Sequence, residues 1–195
     1  MAQRRNNKAK PNVYAFIDSQ NLNLGTQKVG WKMDWRKFRK YLADKYNVTH
    51  AFMFIGYMTE NESLYEYMHE LGFLVALKPT LDVTPHSNPD GSKIEGEEKT
   101  IIKGNIDADL VLYAMKELPN YDQAIIVSGD GDFLSLLEYL EEQNKLHSIM
   151  TPNWQYSSLL KAFEDKIVRI DQLKRELAYR DRRKFTPKKD TPAQS

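Results

Sequence analysis

The strongest constraint on the fold is the alternation of short apolar runs with amphipathic segments of roughly 10 to 15 residues. The runs are apolar almost throughout, as in AIIVS at 124–128, which indicates strands that are buried on both faces. Strands and helices in this alternation are typical of a parallel sheet with helices on either side. We therefore predict an α/β fold, an open parallel β-sheet sandwiched by helices in a single domain. The predicted strands are 13–17, 48–57, 73–78, 124–128, 146–151 and 167–170, and the predicted helices are 34–46, 60–71, 106–118, 133–143 and 157–163, with another beginning near 171.

Charge is distributed unevenly along the chain, although its 195 residues have a formal net charge of only +1. Residues 1–10 carry +4, residues 174–195 carry +5 and the body between them carries −8. The predicted organisation is a basic N-terminal tail over 1–11, a folded domain over 12–173 with a flexible loop at 80–99, and a basic, mostly disordered tail thereafter. Cationic tails on an acidic body suit an anionic partner such as nucleic acid, although they could equally be solvated segments without a partner.

The composition excludes several classes of protein. The chain has no cysteine, so disulfides and thiolate metal centres are excluded, and a reducing, cytoplasmic location is expected. No apolar run approaches the roughly 18 residues that a membrane span needs, so no membrane association is expected. The four histidines do not have the spacing of metal-binding pairs, so the sequence argues against a zinc site.

Acidic residues occur where two predicted strands end. Asp18 directly follows the first strand, and Asp130 and Asp132 come just after the strand at 124–128. Ligands of open parallel sheets bind beyond the carboxyl ends of the strands, so these side chains share one edge if the two strands are neighbours. Each could instead be structural, because Asp18 is suited to capping a helix and 129–132 to forming a tight turn.

A fourth carboxylate comes from the predicted helix at 106–118. At about 100° per residue, Asp107 falls within the apolar stripe of that helix. Asp109 points roughly 200° away from the stripe on the same geometry. We therefore expect Asp107 to face the sheet and Asp109 to face solvent or the rim of the site.

Four carboxylates at one edge need a positive partner, because each close pair repels by several kcal/mol at an effective dielectric constant near 20. Lys103 is the one basic residue close in sequence to any of the four. A hard divalent cation, Mg²⁺ or Mn²⁺, fits better because it prefers oxygen ligands and often bridges carboxylates to substrate phosphates. Such a site suits hydrolysis of phosphodiesters.

At these residues the chain resembles the NYN domain family, a branch of the PIN-like nuclease superfamily. The resemblance covers 13–170, and its motifs are quite specific jointly although each is weak alone. It implies a parallel sheet between helices, an acidic Mg²⁺ or Mn²⁺ site and cleavage of RNA. The motifs are FIDSQNL with Asp18 and Asn21, KGNIDADL with Lys103 and Asp107, and IIVSGDGDF with Ser128, Asp130 and Asp132.

The resemblance also implies roles for individual residues. Metal binding and catalysis are implied for Asp18, Asp107, Asp130 and Asp132. Accessory or substrate-binding roles are expected for Asn21, Ser128, Lys103 and, at the rim, Asp109. Lys103 could contact a phosphate or could equally be an exposed, solubilising lysine.

The leading hypothesis is a metal-dependent ribonuclease that acts on single-stranded or unpaired RNA. The alternative is a weakly active or inactive adaptor that binds RNA or protein, because some relatives carry a further acid where this chain has Leu110, Tyr113 and Ala114. A phosphatase that uses Asp18 is a third hypothesis, disfavoured because Gln20 takes the place of the second acid. Association into a homo-oligomer is compatible with the sequence.

Exposed aromatic rings could supplement such a site by stacking on unpaired bases. Most of the aromatic residues suit core or rim packing. Trp31, beside Lys32, and Trp154, in the loop after a predicted strand, are the two candidates for stacking.

Overall fold

Six parallel strands form the central sheet in the order β3-β2-β1-β6-β7-β8. The computed structural model describes residues 10–56, 61–78, 81–82, 101–102 and 106–180. A separate antiparallel pair is made of two short strands, β4 and β5. The strands are β1 (Val13–Asp18), β2 (Val48–Gly56), β3 (Leu74–Lys78), β4 (Leu81–Asp82), β5 (Ile101–Ile102), β6 (Gln123–Val127), β7 (Leu146–Thr151) and β8 (Ile167–Arg169).

Helices cover both faces of the sheet and divide the core into two halves. α1, α2, α3 and α6 pack on one face, and α4 and α5 pack on the other. The helices are α1 (Ser19–Lys28), α2 (Trp35–Tyr46), α3 (Glu62–Glu70), α4 (Ile106–Lys116), α5 (Leu134–Glu142) and α6 (Lys174–Leu177), with 3₁₀ segments at Gly131–Phe133, Ser158–Lys166 and Ile170–Leu173.

β1 shows why the predicted strands are apolar almost throughout. Ala15 and Ile17 face the half of the core under α1 and α2, whereas Tyr14 and Phe16 face the half under α4 and α5. Because both faces of a strand are covered, every position of β1 is buried. The predicted fold class, a single domain with a parallel sheet between helices, is confirmed.

The most consequential difference from the prediction is α1, for which the sequence indicated only a capping site. Its sequence, SQNLNLGTQK, is polar and buries few side chains, so apolar periodicity gives little indication of a helix. The close packing of the helix explains Gly25, since a Cβ there would lie 2.4 Å from Cβ of Pro152. Tertiary contacts therefore stabilise a helix that its own hydrophobic pattern barely indicates.

The C-terminal segment also folds further than the predicted boundary at residue 173. Leu177 is fully buried, and its carbonyl accepts a hydrogen bond of 2.9 Å from the Asp34 N–H. Tyr179 N–H donates to the Lys32 carbonyl at 2.9 Å. The packed chain thus extends at least to Tyr179, and the rest of the predicted tail, 181–195, lies outside the described residues.

Smaller differences concern element type and position. The predicted helix at 157–163 is a 3₁₀ segment, Ser158–Lys166, and the predicted strand at 124–128 lies one residue earlier, at Gln123–Val127. Of the predicted flexible loop at 80–99, only Leu81–Asp82 lies within the described residues. Among the residues that the structure describes, no helix is long and apolar enough to cross a lipid bilayer.

Candidate active site

The candidate site lies where the order of the strands changes direction. From β1 the chain builds the sheet outward through β2 and β3, and from β6 it builds in the opposite direction through β7 and β8. β1 and β6 are neighbours in parallel register, so the loops that leave their carboxyl ends diverge and open a crevice between them. This switch point is the usual ligand site of open α/β sheets. Four side chains define what we call the acidic crevice, Asp18, Asp107, Asp130 and Asp132.

Asp18 is the last residue of β1 and at the same time the N-cap of α1. Its Oδ1 accepts a hydrogen bond of 3.0 Å from the Asn21 N–H, and its Oδ2 accepts one of 3.1 Å from the Ser128 hydroxyl. The residue is only 7% exposed. Burial raises the pKa of Asp18, the charge of Asp130 adds to the rise, and the hydrogen bonds oppose it. Asp18 therefore caps α1 and also lies beside the loop that follows β6.

Ser128 and Asn21 join the two loops of the crevice. The Ser128 hydroxyl that donates to Asp18 also accepts a hydrogen bond of 3.2 Å from the Asp130 N–H. Asn21 Oδ1 accepts one of 2.9 Å from the Gly129 N–H. Ser128 and Asn21, two of the predicted accessory residues, thus hold the start of α1 against the loop that follows β6 through hydrogen bonds.

Asp130 and Asp132 lie in a tight turn after β6. Asp130 Oδ1 accepts a hydrogen bond of 3.0 Å from the Asp132 N–H and caps the 3₁₀ segment Gly131–Phe133. A Cβ on Gly131 would lie 2.4 Å from Oγ of Ser157, so a larger residue would displace the turn. Asp130 is half-buried and Asp132 is exposed.

Asp107 brings the fourth carboxylate to the crevice from the first turn of α4, where it is half-buried. Partial burial raises the pKa of Asp107, and the charges of Asp18, Asp130 and Asp132 raise it further. Three parts of the chain therefore place interacting carboxylates at one edge of the sheet. Asp109, on the same helix, is half-buried, and Lys103 lies outside the described residues.

The donor set of the crevice fits a hard divalent cation in its chemistry. It offers carboxylate oxygens that repel one another, and Mg²⁺ and Mn²⁺ take oxygen ligands. Within the described part of the chain, however, no three side chains of the types His, Cys, Asp and Glu are grouped as a ready metal centre. Both oxygens of Asp18 already accept hydrogen bonds from the protein. This arrangement suits an ion that is held by the carboxylates of the crevice together with several waters, because Mg²⁺ usually keeps part of its hydration shell.

The positions one or two turns beyond Asp107 are occupied by packing side chains. Leu110 and Ala114 are fully buried, and the Tyr113 ring meets Phe54 edge-on with ring centroids 5.5 Å apart. A further acid there would have to replace core contacts, so α4 contributes its acids through its first turn.

α1 separates a large cleft from a pair of smaller ones. The large cleft, on the β2 and α3 side, has a volume of about 670 Å³ and is bordered by Ser19, Gln20, Trp35, Met53 and Leu64. On the β7 side, a cleft of about 230 Å³ begins at Asn21 and Gly129. Each side of α1 therefore has a cleft that includes a residue of its first turn, Ser19 on one side and Asn21 on the other.

The two tryptophans predicted as stacking candidates differ in exposure. Trp31 is buried against the core under α1 and α2, so it is a packing residue and the stacking prediction for it is wrong. Trp154 is 54% exposed, and the Arg169 guanidinium lies 5.8 Å from the centre of its ring. Arg169 was not among the residues predicted from the sequence, although its position at the carboxyl end of β8 was a usable signal.

A parallel sheet with an acidic crevice at its switch point defines an α/β protein with a candidate site at the carboxyl end of the sheet, and comparison with known proteins gives the family. The NYN domain model matches residues 12–171. The chain therefore belongs to the NYN domain family, which is grouped with PIN-like nucleases, as the motifs indicated.

Individual relatives are distant. The chain is 22% identical over 163 residues to the low amplitude and bright protein LabA of Synechococcus elongatus, with 82% of this chain and 83% of LabA covered. A crystal structure of a Vibrio parahaemolyticus protein of unknown function superposes with a TM-score of 0.66 and 22% identity, covering 88% of this chain and 98% of the other. The second likeness supports the fold alone.

Proposed function

We propose that the protein is a divalent-metal-dependent ribonuclease, which hydrolyses phosphodiester bonds of single-stranded or unpaired RNA at the acidic crevice. The observation that carries the proposal is the convergence of four carboxylates from β1, α4 and the turn after β6, where the neighbouring charges repel those of Asp18 and Asp107. Such repulsion disfavours the folded state unless a cation relieves it. Membership of the NYN domain family supports the same activity.

In this proposal the carboxylates of the crevice would bind the metal ion, and neighbouring polar residues would orient the carboxylates and the loops that carry them. Asp18, Asp107, Asp130 and Asp132 would hold Mg²⁺ or Mn²⁺, which when bound would polarise the phosphoryl oxygen and lower the pKa of a coordinated water. Ser128 would orient the Asp18 carboxylate, and Asn21 would keep the loop after β6 in register with α1. Fixing these groups before substrate binds reduces the reorganisation that the reaction needs.

A second candidate function is an RNA-binding adaptor that cleaves slowly or not at all. The observation that favours it is the apolar packing of Leu110, Tyr113 and Ala114, where some relatives carry another acid.

One experiment distinguishes the two functions. Labelled single-stranded RNA is incubated with the protein and Mn²⁺, beside the variant Asp130→Asn and the matched control Asp165→Asn, which changes an exposed aspartate of the 3₁₀ segment Ser158–Lys166. The ribonuclease is supported if chelator stops cleavage, if the Asp130→Asn variant does not cleave and if the Asp165→Asn variant still does. RNA binding by all three proteins without cleavage supports the adaptor.

A further inference from the structure

A groove leads away from the acidic crevice on the β7 side of α1. Its first part is the cleft of about 230 Å³ that begins at Asn21 and Gly129, and its second part is a cleft of about 340 Å³ that reaches Trp154. Lys28 and Gln155 line both parts. The two clefts are therefore adjacent, and the first begins at Asn21 and Gly129, whose hydrogen bond joins α1 to the loop after β6.

Positive charge lines the outer part of this groove, in contrast to the crevice. Lys28 and Lys174 are exposed there, and the one carboxylate among the described residues that line it is Asp171. Asp171 is engaged by Arg169 through two hydrogen bonds, of 3.1 Å to Nε and 2.6 Å to an Nη atom. The two lysine ammonium groups are therefore not matched by an acid of their own within the described lining.

The Trp154 ring lines the same cleft as these lysines and packs against Arg169. The Arg169 guanidinium packs 5.8 Å from the ring centre, and Asp171 fixes the guanidinium in turn. The guanidinium therefore contacts the indole while the residue remains 54% exposed. A solvent-exposed indole beside cationic side chains is a suitable surface for base stacking.

The loop that carries Trp154 is anchored to α1. Asn153 is buried, its Nδ2 donates a hydrogen bond of 2.8 Å to the Gly25 carbonyl, and its Oδ1 accepts one of 2.7 Å from the Gln155 N–H. The close approach of Pro152 to Gly25 adds to this contact. The groove is therefore pre-formed between two elements that both also contact the crevice.

We propose that this basic groove, formed by Lys28, Trp154, Gln155, Tyr156 and Lys174, binds the single-stranded RNA that flanks the cleavage position. A base would stack on Trp154, and the two lysines would contact backbone phosphates. The proposal rests on the proposed ribonuclease function for the direction of the strand into the crevice. It selects unpaired RNA, because a base within a duplex cannot present its face to the indole.

The test measures RNA binding without catalysis. The full-length protein is titrated in chelator with a fluorescently labelled single-stranded RNA, at several salt concentrations, and compared with Trp154→Ala, Trp154→Phe and the single variants Lys28→Ala and Lys174→Ala. Matched controls are Tyr139→Ala, an exposed aromatic residue of α5, and Lys116→Ala, at the end of α4, both on the opposite helical layer. Circular dichroism checks that each variant is folded.

Loss of the stacking ring should weaken binding by about 5- to 150-fold in Trp154→Ala, and Trp154→Phe should retain most of the affinity. Each lysine substitution should reduce the slope of log K against log salt by about 0.7 for each phosphate that the variant no longer neutralises. A duplex of the same sequence should bind less tightly than the single strand.

The proposal is overturned if Trp154→Ala binds as tightly as Tyr139→Ala, if the salt slope is the same in the lysine variants and Lys116→Ala, or if duplex RNA binds as well as the single strand. Because binding is measured without metal, it does not depend on cleavage. If RNA binding depends on the groove but the protein never cleaves RNA, the ribonuclease proposal is refuted and the groove proposal is retained. If the protein cleaves RNA but its binding does not depend on the groove, the groove proposal is refuted and the ribonuclease proposal is retained.

Discussion

The acidic crevice and the basic groove lie side by side at the carboxyl end of the sheet and are built in opposite ways. The crevice uses short side chains, is most buried at Asp18 and Ser128, and is fixed by hydrogen bonds to backbone N–H groups. The groove uses long or aromatic side chains that remain largely in solvent, as at Lys28 and Trp154. We therefore expect the crevice to respond to metal and to small displacements, and the groove to respond to salt and to RNA length.

The two regions also differ in what they contribute to stability. Burial and mutual repulsion raise the pKa values of Asp18 and Asp107, so the charged carboxylates destabilise the metal-free protein at neutral pH. The groove carries no comparable concentration of buried charge among its described residues. Substitutions that remove a carboxylate of the crevice should therefore lower activity and raise stability, whereas substitutions in the groove should change RNA binding with little effect on stability.

The largest expected effect is that of Asp18→Asn. Cleavage should fall by more than about 100-fold, since even the partners of metal ligands typically matter by 10- to 100-fold. In chelator the variant should melt at a higher temperature than the parent, because asparagine caps a helix as well as aspartate does and carries no buried charge. Cleavage assays and thermal unfolding measure the two effects.

Metal addition separates this prediction from a purely structural role of Asp18. Mn²⁺ at about 100 times its Kd should stabilise the parent by about 2.7 kcal/mol and should stabilise Asp18→Asn much less. Equal stabilisation of both proteins would contradict the assignment of Asp18 as a metal ligand.

Ser128→Ala should have the next largest effect. Without the Ser128 hydroxyl, the Asp130 N–H loses the acceptor described above and the Asp18 carboxylate loses one hydrogen-bond donor. Mn²⁺ affinity should therefore fall by about 10- to 100-fold. The free energy of unfolding should fall by about 1–3 kcal/mol. Calorimetric titration with Mn²⁺ and denaturant unfolding measure these changes. Ser148→Ala, a buried serine of β7 outside the crevice, is the control and should leave Mn²⁺ affinity intact.

A smaller effect is expected in the pH dependence of stability without metal. Because the folded pKa values of Asp18 and Asp107 lie above the ordinary aspartate value of 3.8, their destabilisation is absent below that pH, develops as pH rises from 3.8 to the folded values and is constant above them. The charge of Asp130 contributes to both shifts. The free energy of unfolding of Asp130→Asn in chelator should therefore exceed that of the parent by a margin that grows as pH rises from 3.8 to the folded pKa values. A margin that stays constant or shrinks over that interval would contradict the coupling.

The smallest effect should come from Trp154→Ala on a dinucleotide substrate. A dinucleotide reaches the crevice without occupying the groove, so its cleavage should change by no more than about twofold, the usual limit for independent sites. Kinetic comparison of dinucleotide and long RNA in the same variant measures this. Equal losses with both substrates would show that Trp154 acts on the crevice itself and not through RNA binding.

How much of the site could be predicted is shown best by Asp18 and Asp107. Placing Asp18 at the carboxyl end of a strand needed only the apolar run before it, and the orientation of Asp107 followed from helical periodicity. Their meeting with Asp130 depended on β1 and β6 being neighbours, which local pattern does not determine. Lys28 was beyond prediction for a related reason, since α1 has little apolar periodicity and is stabilised by its contacts with the loop after β7.

The amino-acid sequence by itself determined the alternation of elements, the burial of the strands on both faces and the family, because these depend on local periodicity and on residues close together in the chain. The tertiary structure alone decided that the carboxylates of β1, α4 and the turn after β6 share one crevice, that Trp31 is buried while Trp154 is exposed, and that residues 174–179 belong to the folded unit. Each of these depends on strand order and on packing between distant segments, where the free energy comes from contacts that no local stretch of sequence contains.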